Sequence, residues 1–195
     1  GDPSTQWLMF LQGRLESAGI SRDNWDAVLS PDSALTGDLA ARGIQVSAVP
    51  ALDTVYLGFN MDDPVVGANR ALRQALSCAL DTAEWVRFYG QRVQRATGPI
   101  PPGLPECRRT PSPWVFDLPR ASNLLAAAGY PAGREPRTGR RLQLTLELGS
   151  TDTETREAVE LLVDFMARLG VALRANYSNK PVFFSRVERR QAQMF

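Results

Sequence analysis

The chain has 195 residues, 44% of them apolar, with 22 basic against 21 acidic side chains and a net charge of +1. That length and apolar content provide one domain or two small ones with a sizeable core, and they exclude a disordered chain. The balanced charge excludes a global field that would favour nucleic acid or an anionic membrane, and no apolar run approaches the roughly 20 residues of a membrane-spanning helix. The sequence opens on Gly1-Asp2-Pro3-Ser4 without a methionine, so a preceding segment, including any signal peptide, is expected to have been removed.

Residues 5–15 carry Leu8, Leu11 and Leu15 with Trp7 and Phe10 at helical spacing, and short helices are predicted over 24–29 and 35–42. Ile44, Val46 and Ala48 alternate with Gln45 and Ser47, which predicts a strand ending at Pro50. A second strand is predicted over residues 54–60, where Val55, Leu57 and Phe59 alternate with Thr54 and Tyr56. Beyond the turn at Asp62-Asp63-Pro64 the period changes. Ala68, Ala71, Leu72, Ala75, Leu76 and Ala79 mark an amphipathic helix, with Asn69 as its N-cap. Asp81 and Glu84 frame a capping box for a helix over residues 83–89, packed through Trp85, Val86 and Tyr89.

Six prolines between Gly98 and Pro113 set an extended, irregular crossing. Asp117 caps a helix carrying Leu124, Leu125 and Ala128 inward, and four arginines in residues 134–141 form a solvated turn. No aromatic side chains interleave with those arginines to stack on bases. Leu142, Leu144, Leu146 and Leu148 give the clearest strand, one face core and the other polar. A helix capped by Thr151 and Glu154 runs to Gly170, and a strand over residues 171–177 follows; strand, helix, strand favours parallel pairing. Ser178 or Asn179 then caps a helix through Arg190 with Val182, Phe183 and Val187 inward, and residues 192–195 begin another strand.

Several blocks together resemble one family. F-N-M-x-x-P-V from Phe59, N-R-A-L-R-Q-A-L-S-x-A-L-D from Asn69, Pro99 to Pro102, Phe116-Asp117 with Ala121, Leu124, Leu125, Ala128, Gly129 and Tyr130, and residues 164–171 follow in the order seen in family 5 extracellular solute-binding proteins. These are the peptide-binding subunits of ABC importers. The resemblance implies an α/β fold, a mixed sheet flanked by helices, as the incomplete second lobe of a periplasmic-binding-protein-like fold. Residues 1–52 would be the trailing segment of the first lobe and residues 53–195 part of the second. It further implies a peptide or other small solute as ligand, ABC permease subunits as partners of the full-length parent, and export to the periplasm or cell exterior. Residues 56–61 would span the hinge, with Tyr56, Phe59, Asn60 and Met61 near the ligand cleft. The residues themselves leave a plainer reading open, Tyr56 and Phe59 as core and Asn60 as a turn former at a strand end.

No catalytic, cofactor or metal site is expected. Histidine is absent, which removes the usual general base near neutral pH and the commonest metal ligand. The carboxylates at Asp62-Asp63 and at Asp152 with Glu154 sit where capping or turns explain them. Cys78 is read as a small buried hydrophobe, with a bridge to Cys107 left open. Two other readings remain at this stage. One is the ligand-sensing domain of a transcriptional regulator, and the other an enzyme whose catalytic residues lie outside this stretch.

Overall fold

The computed structural model describes residues 3–30, 34–105, 107 and 112–195. The chain divides into two compact units, Gly1–Leu52 and Asp53–Phe195. In the first, α1 (Pro3–Leu11) is followed by two single-turn helices, α2 (Trp25–Val28) and α3 (Asp38–Ala41). Trp7 and Val28 are its buried side chains among the described residues. Trp7 stacks on Phe10 at 5.4 Å, and Arg42 Nη2 donates to Leu11 O at 2.8 Å. The helix expected over residues 5–15 stops at Leu11, because the chain turns through Gly13 at φ +73°, a conformation open to glycine at little cost. The strand expected before Pro50 does not form. Residues 44–50 have no ladder partner among the described residues, and Val49 is 80% exposed. Alternation proposes a strand; a neighbouring strand has to complete it.

The second unit is built on α4 (Arg70–Ala79), α5 (Thr82–Phe88), α6 (Leu118–Ala127), β1 (Gln143–Leu148), α7 (Thr153–Arg168), β2 (Ala172–Tyr177) and α8 (Lys180–Glu188). β1 and β2 run parallel, as the strand–helix–strand order requires, with Leu144 opposite Leu173 and Leu146 opposite Ala175. Met194 bridges Leu146 in parallel and Phe59 in antiparallel sense. The sheet is therefore mixed, in the order β2, β1, residue 194, residue 59.

The core lies between this sheet and the helices. Leu72, Ala75, Leu76, Cys78 and Ala79 of α4 meet Ala121 and Leu125 of α6, Leu144 and Leu146 of β1, and Val159, Leu162, Phe165 and Met166 of α7 in one apolar cluster. Asn69 holds α4 at both levels of structure. Its Oδ1 caps the helix by accepting from Leu72 N at 3.0 Å, and its Nδ2 donates to Ala128 O at the end of α6 at 2.8 Å. Cys78 is fully buried and Cys107 partly so, and the structure has no disulfide between them.

Other caps differ from expectation. Asp81 accepts from Ala83 N and Glu84 N, yet Glu84 does not close a capping box; its carboxylate meets Arg168 of α7 at 2.9 Å instead. The cap of α7 is Asp152 rather than Thr151. Its Oδ1 accepts from Thr155 N at 2.8 Å, while Oδ2 accepts from Thr155 Oγ1 and from Ser150 Oγ. Partial burial acts to raise the Asp152 carboxyl, but the hydrogen bonds from Ser150 and Thr155 outweigh it and hold the group below its usual value. A depressed carboxyl stabilises the fold above its unfolded pKa, and that contribution is lost as the pH falls through the folded value. Asp152→Ala should therefore cost about 1 kcal/mol near neutral pH. The gap to wild type should narrow in acid, as read from urea unfolding at a series of pH values.

The polar face of β1 is not solvated throughout. Glu147 is 4% exposed, and its Oε1 accepts from Asn176 Nδ2 and from Arg186 Nη1, each at 2.9 Å. Asn179 caps α8. Val182 stands 45% exposed rather than inward, while Phe183 packs so close that a Cβ on Gly149 would lie 2.9 Å from its Cδ1. The arginine-rich stretch is a hairpin turn, closed by the Arg134–Arg141 bridge.

Candidate functional site

Residues 53–61 open the second unit. The predicted strand reduces to its last three positions: Gly58 and Phe195 exchange backbone hydrogen bonds, and Asn60 N donates to Gln193 O at 3.0 Å. Residues 54–57 stay unpaired, with Val55 82% and Tyr56 71% exposed. The amides of Val55, Tyr56 and Leu57 find no backbone partner among the described residues. A ladder forms only where residues 193–195 lie beside the segment.

A set of polar contacts fixes the far end of this segment. Asn60 Nδ2 donates to Arg190 O at 2.8 Å and its Oδ1 accepts from Asp62 N at 3.0 Å. Asp62 pairs with Arg190, whose guanidinium is held above its ordinary value by that hydrogen bond. Asp63 Oδ1 accepts from Val65 N and Val66 N, making the turn, and its Oδ2 accepts from Gln193 Nε2 at 3.2 Å. Gln193 Oε1 in turn accepts from Thr145 N of β1 at 2.8 Å. Arg73 completes the brace by donating through Nη1 to Val66 O and Gly67 O at 2.7 and 2.6 Å.

Beside this brace is an open cavity of about 250 Å³, lined by Phe59, Arg70, Arg73, Gln74, Ser77 and Trp114. Of the four residues expected near a cleft, Phe59 lines this cavity and Asn60 lies in the brace, while Tyr56 and Met61 (60% exposed) line neither. Sequence reading missed Arg73, Arg190 and Gln193. Arg73 stands seven residues from the carbonyl of Val66 it holds, but Arg190 and Gln193 meet their partners across about 130 positions, where local spacing carries no signal. Among the described residues no three Cys, Asp or Glu side chains converge on a metal site, and no helix is long and apolar enough to cross a membrane.

The fold of this chain recurs within several solved binding proteins. NikA from Brucella suis, solved in complex with Fe(III)-EDTA, superposes with a TM-score of 0.77 at 20% identity, covering 99% of this chain and 39% of that one. DppA from Helicobacter pylori, in complex with the peptide STSA, gives 0.72 at 19% identity over 99% of this chain and 34% of its own. The oligopeptide-binding protein AppA from Bacillus subtilis, in complex with a nonapeptide, gives 0.74 at 16% identity over 95% and 36%. The fold is thus that of a periplasmic binding protein, and the chain spans between 34 and 39% of the length of these three structures. The family model for bacterial extracellular solute-binding proteins, family 5 Middle, matches residues 1–195, and the chain belongs to that family. No curated protein sequence matches it significantly.

Proposed function

We propose that the chain is a ligand-binding portion of the solute-binding subunit of an ABC importer, with residues 1–52 the trailing part of one lobe and residues 53–195 part of the other. The subunit is exported and faces the periplasm or cell exterior, its ligand is a peptide, its partners are the permease subunits, and it catalyses no reaction. The observation that carries this reading is the segment 53–61. It opens the second of two compact units, and only its end is paired, against residues 193–195. A segment at the start of a lobe that is paired only at its end can serve as a hinge that bends with little loss of packing.

The peptide is favoured over other solutes by the open backbone of residues 55–57. Unpaired strand amides beside exposed Tyr56 suit a ligand that adds as a strand, held by its main chain with side chains in roomy pockets. Asn60 serves this as a fixed corner of the hinge, both ends of its carboxamide being engaged within the fold.

Calorimetry of the full gene product with tri- to pentapeptides tests the proposal. Saturable one-to-one binding is expected, weakened at least about a hundredfold, some 2.7 kcal/mol, when the 195-residue chain is titrated alone. Saturation by a metal chelate or a sugar acid with no response to any peptide would replace the ligand class. DNA binding or substrate turnover by the full product would overturn the transport role.

A further inference from the structure

The geometry points to a second ligand site in the 53–195 unit, the cavity beside Phe59, which takes a small carboxylate joined to a flat apolar group. The argument begins with α4. Leu72, Ala75, Leu76 and Ala79 face the core. Arg70, Arg73, Gln74 and Ser77 follow one another at i, i+3, i+4 and i+7 on another face, and all four line the cavity.

Two of these groups are unspent. Arg73 gives Nη1 to two carbonyls, and Ser77 Oγ donates to Arg73 O at 2.9 Å. The guanidinium of Arg70 and the carboxamide of Gln74 have no partner among the described residues. Arg70 is also the first residue of α4. A cation there opposes the positive end of the helix dipole, so helix formation does not account for it.

A third arginine stands on the Trp114 side of the cavity. Arg120 lies over the Trp114 ring at 5.0 Å and donates to Pro113 O. Among the described residues no carboxylate stands within ion-pair distance of Arg70, Arg73 or Arg120. Asp117, the acid at this end of α6, spends Oδ1 on capping Arg120 N.

Phe59 and Trp114 supply apolar walls. Guanidinium donors with a carboxamide on the same helix face match a carboxylate in charge and in hydrogen-bonding plane. The volume, below the range of drug-sized sites, suits a ligand of phenylacetate size.

The test follows the indole Nε1–H resonance of Trp114, assigned with Trp114→Phe, while the 195-residue chain is titrated with phenylacetate. A saturable shift is expected. Phenylacetamide, of the same shape without the charge, should bind at least about tenfold more weakly, and Arg70→Gln should weaken phenylacetate by about the same factor. Arg174→Gln, which removes an equal charge from an exposed position of β2, should leave the titration unchanged, and an unaltered thermal midpoint shows that Arg70→Gln keeps its fold.

The site is wrong if the shift does not saturate, if the amide binds equally, if Arg174→Gln has the same effect, or if inorganic phosphate competes on equal terms. Gly-Phe and its C-terminal amide divide the sources of the carboxylate. Carboxylate-dependent binding of the dipeptide means a peptide end is accepted, whereas binding of phenylacetate alone means a free acid. The titration needs no hinge and no second lobe, so its failure leaves the transport reading standing, and failure of peptide calorimetry leaves this site standing.

Discussion

Replacing Phe165 by alanine lowers the stability of the 53–195 unit by about 3–5 kcal/mol. Phe165 lies on the inner face of α7, is 1% exposed, and belongs to the cluster that joins α4, α6, β1 and β2. Its truncation removes the transfer free energy of a whole ring and leaves a cavity that four elements, each anchored elsewhere, cannot collapse to fill. A native domain has only about 5–15 kcal/mol in hand, so the variant sits near the edge of folding. Phe165→Leu, which keeps most of the volume, should cost about 1.5 kcal/mol or less. Urea unfolding followed by far-UV circular dichroism separates the two. Equal losses would mean that the ring is not the piece that fills this space. The 1–52 unit, with its own small set of buried side chains, should keep its transition unchanged, because the two units are compact separately.

Much of what surrounds Phe165 was legible beforehand. The leucines of residues 142–148 and the 3.6-residue periods of α4 and α7 each record a face that the fold buries, and Asn69 and Asp117 cap as their side-chain chemistry dictates. The same alternation misled at residues 44–50 and 54–57. Period 2 reports which side chains would share a face, and says nothing of whether another strand is present to take the hydrogen bonds. At 58–60 that partner comes from residues 193–195, too distant in sequence for any local pattern to announce.

The candidate site shows the same division. Phe59 stood out as an aromatic residue within a family block, but the brace around it depends on Arg190 and Gln193, whose partners lie at the other end of the unit. Glu147 read as solvated because its neighbours on that face are polar. Only the return of α8 with Arg186 buries it. A position that read as surface is buried by tertiary packing and paired with Arg186, whose side chain stays 45% exposed.

Gly133→Ala is expected to cost about 3 kcal/mol although it removes no atom from the core. Gly133 has φ +72°, and a Cβ built on it would lie 2.2 Å from Gly170 O and 2.5 Å from Gly170 C. The left-handed conformation alone costs a residue with a Cβ about 1–2 kcal/mol; the remainder comes from the clash. Relief by a rotating side chain is impossible, since the obstacle is backbone. Gly170 itself sits at φ +89° and its carbonyl accepts from Arg141 Nε at 2.7 Å, while Gly133 O accepts from Leu142 N at 2.8 Å. Moving either glycine therefore disturbs the junctions through which α6 feeds β1 and α7 feeds β2.

Gly139→Ala provides the control. Its φ is +69°, but nothing lies within 4 Å of the added carbon, so it should show only the conformational cost of about 1 kcal/mol. The difference between the two variants measures the steric part. It should be accompanied by faster hydrogen exchange at Ala172 N, which donates to Leu142 O at 2.9 Å and so reports the first rung between the strands. Losses matching within about 0.5 kcal/mol, a margin at which independent sites already scatter, would show that the two glycines do not need to touch. The parallel register of β1 and β2 would then have to be set by their apolar pairs, Leu144 with Leu173 and Leu146 with Ala175, alone.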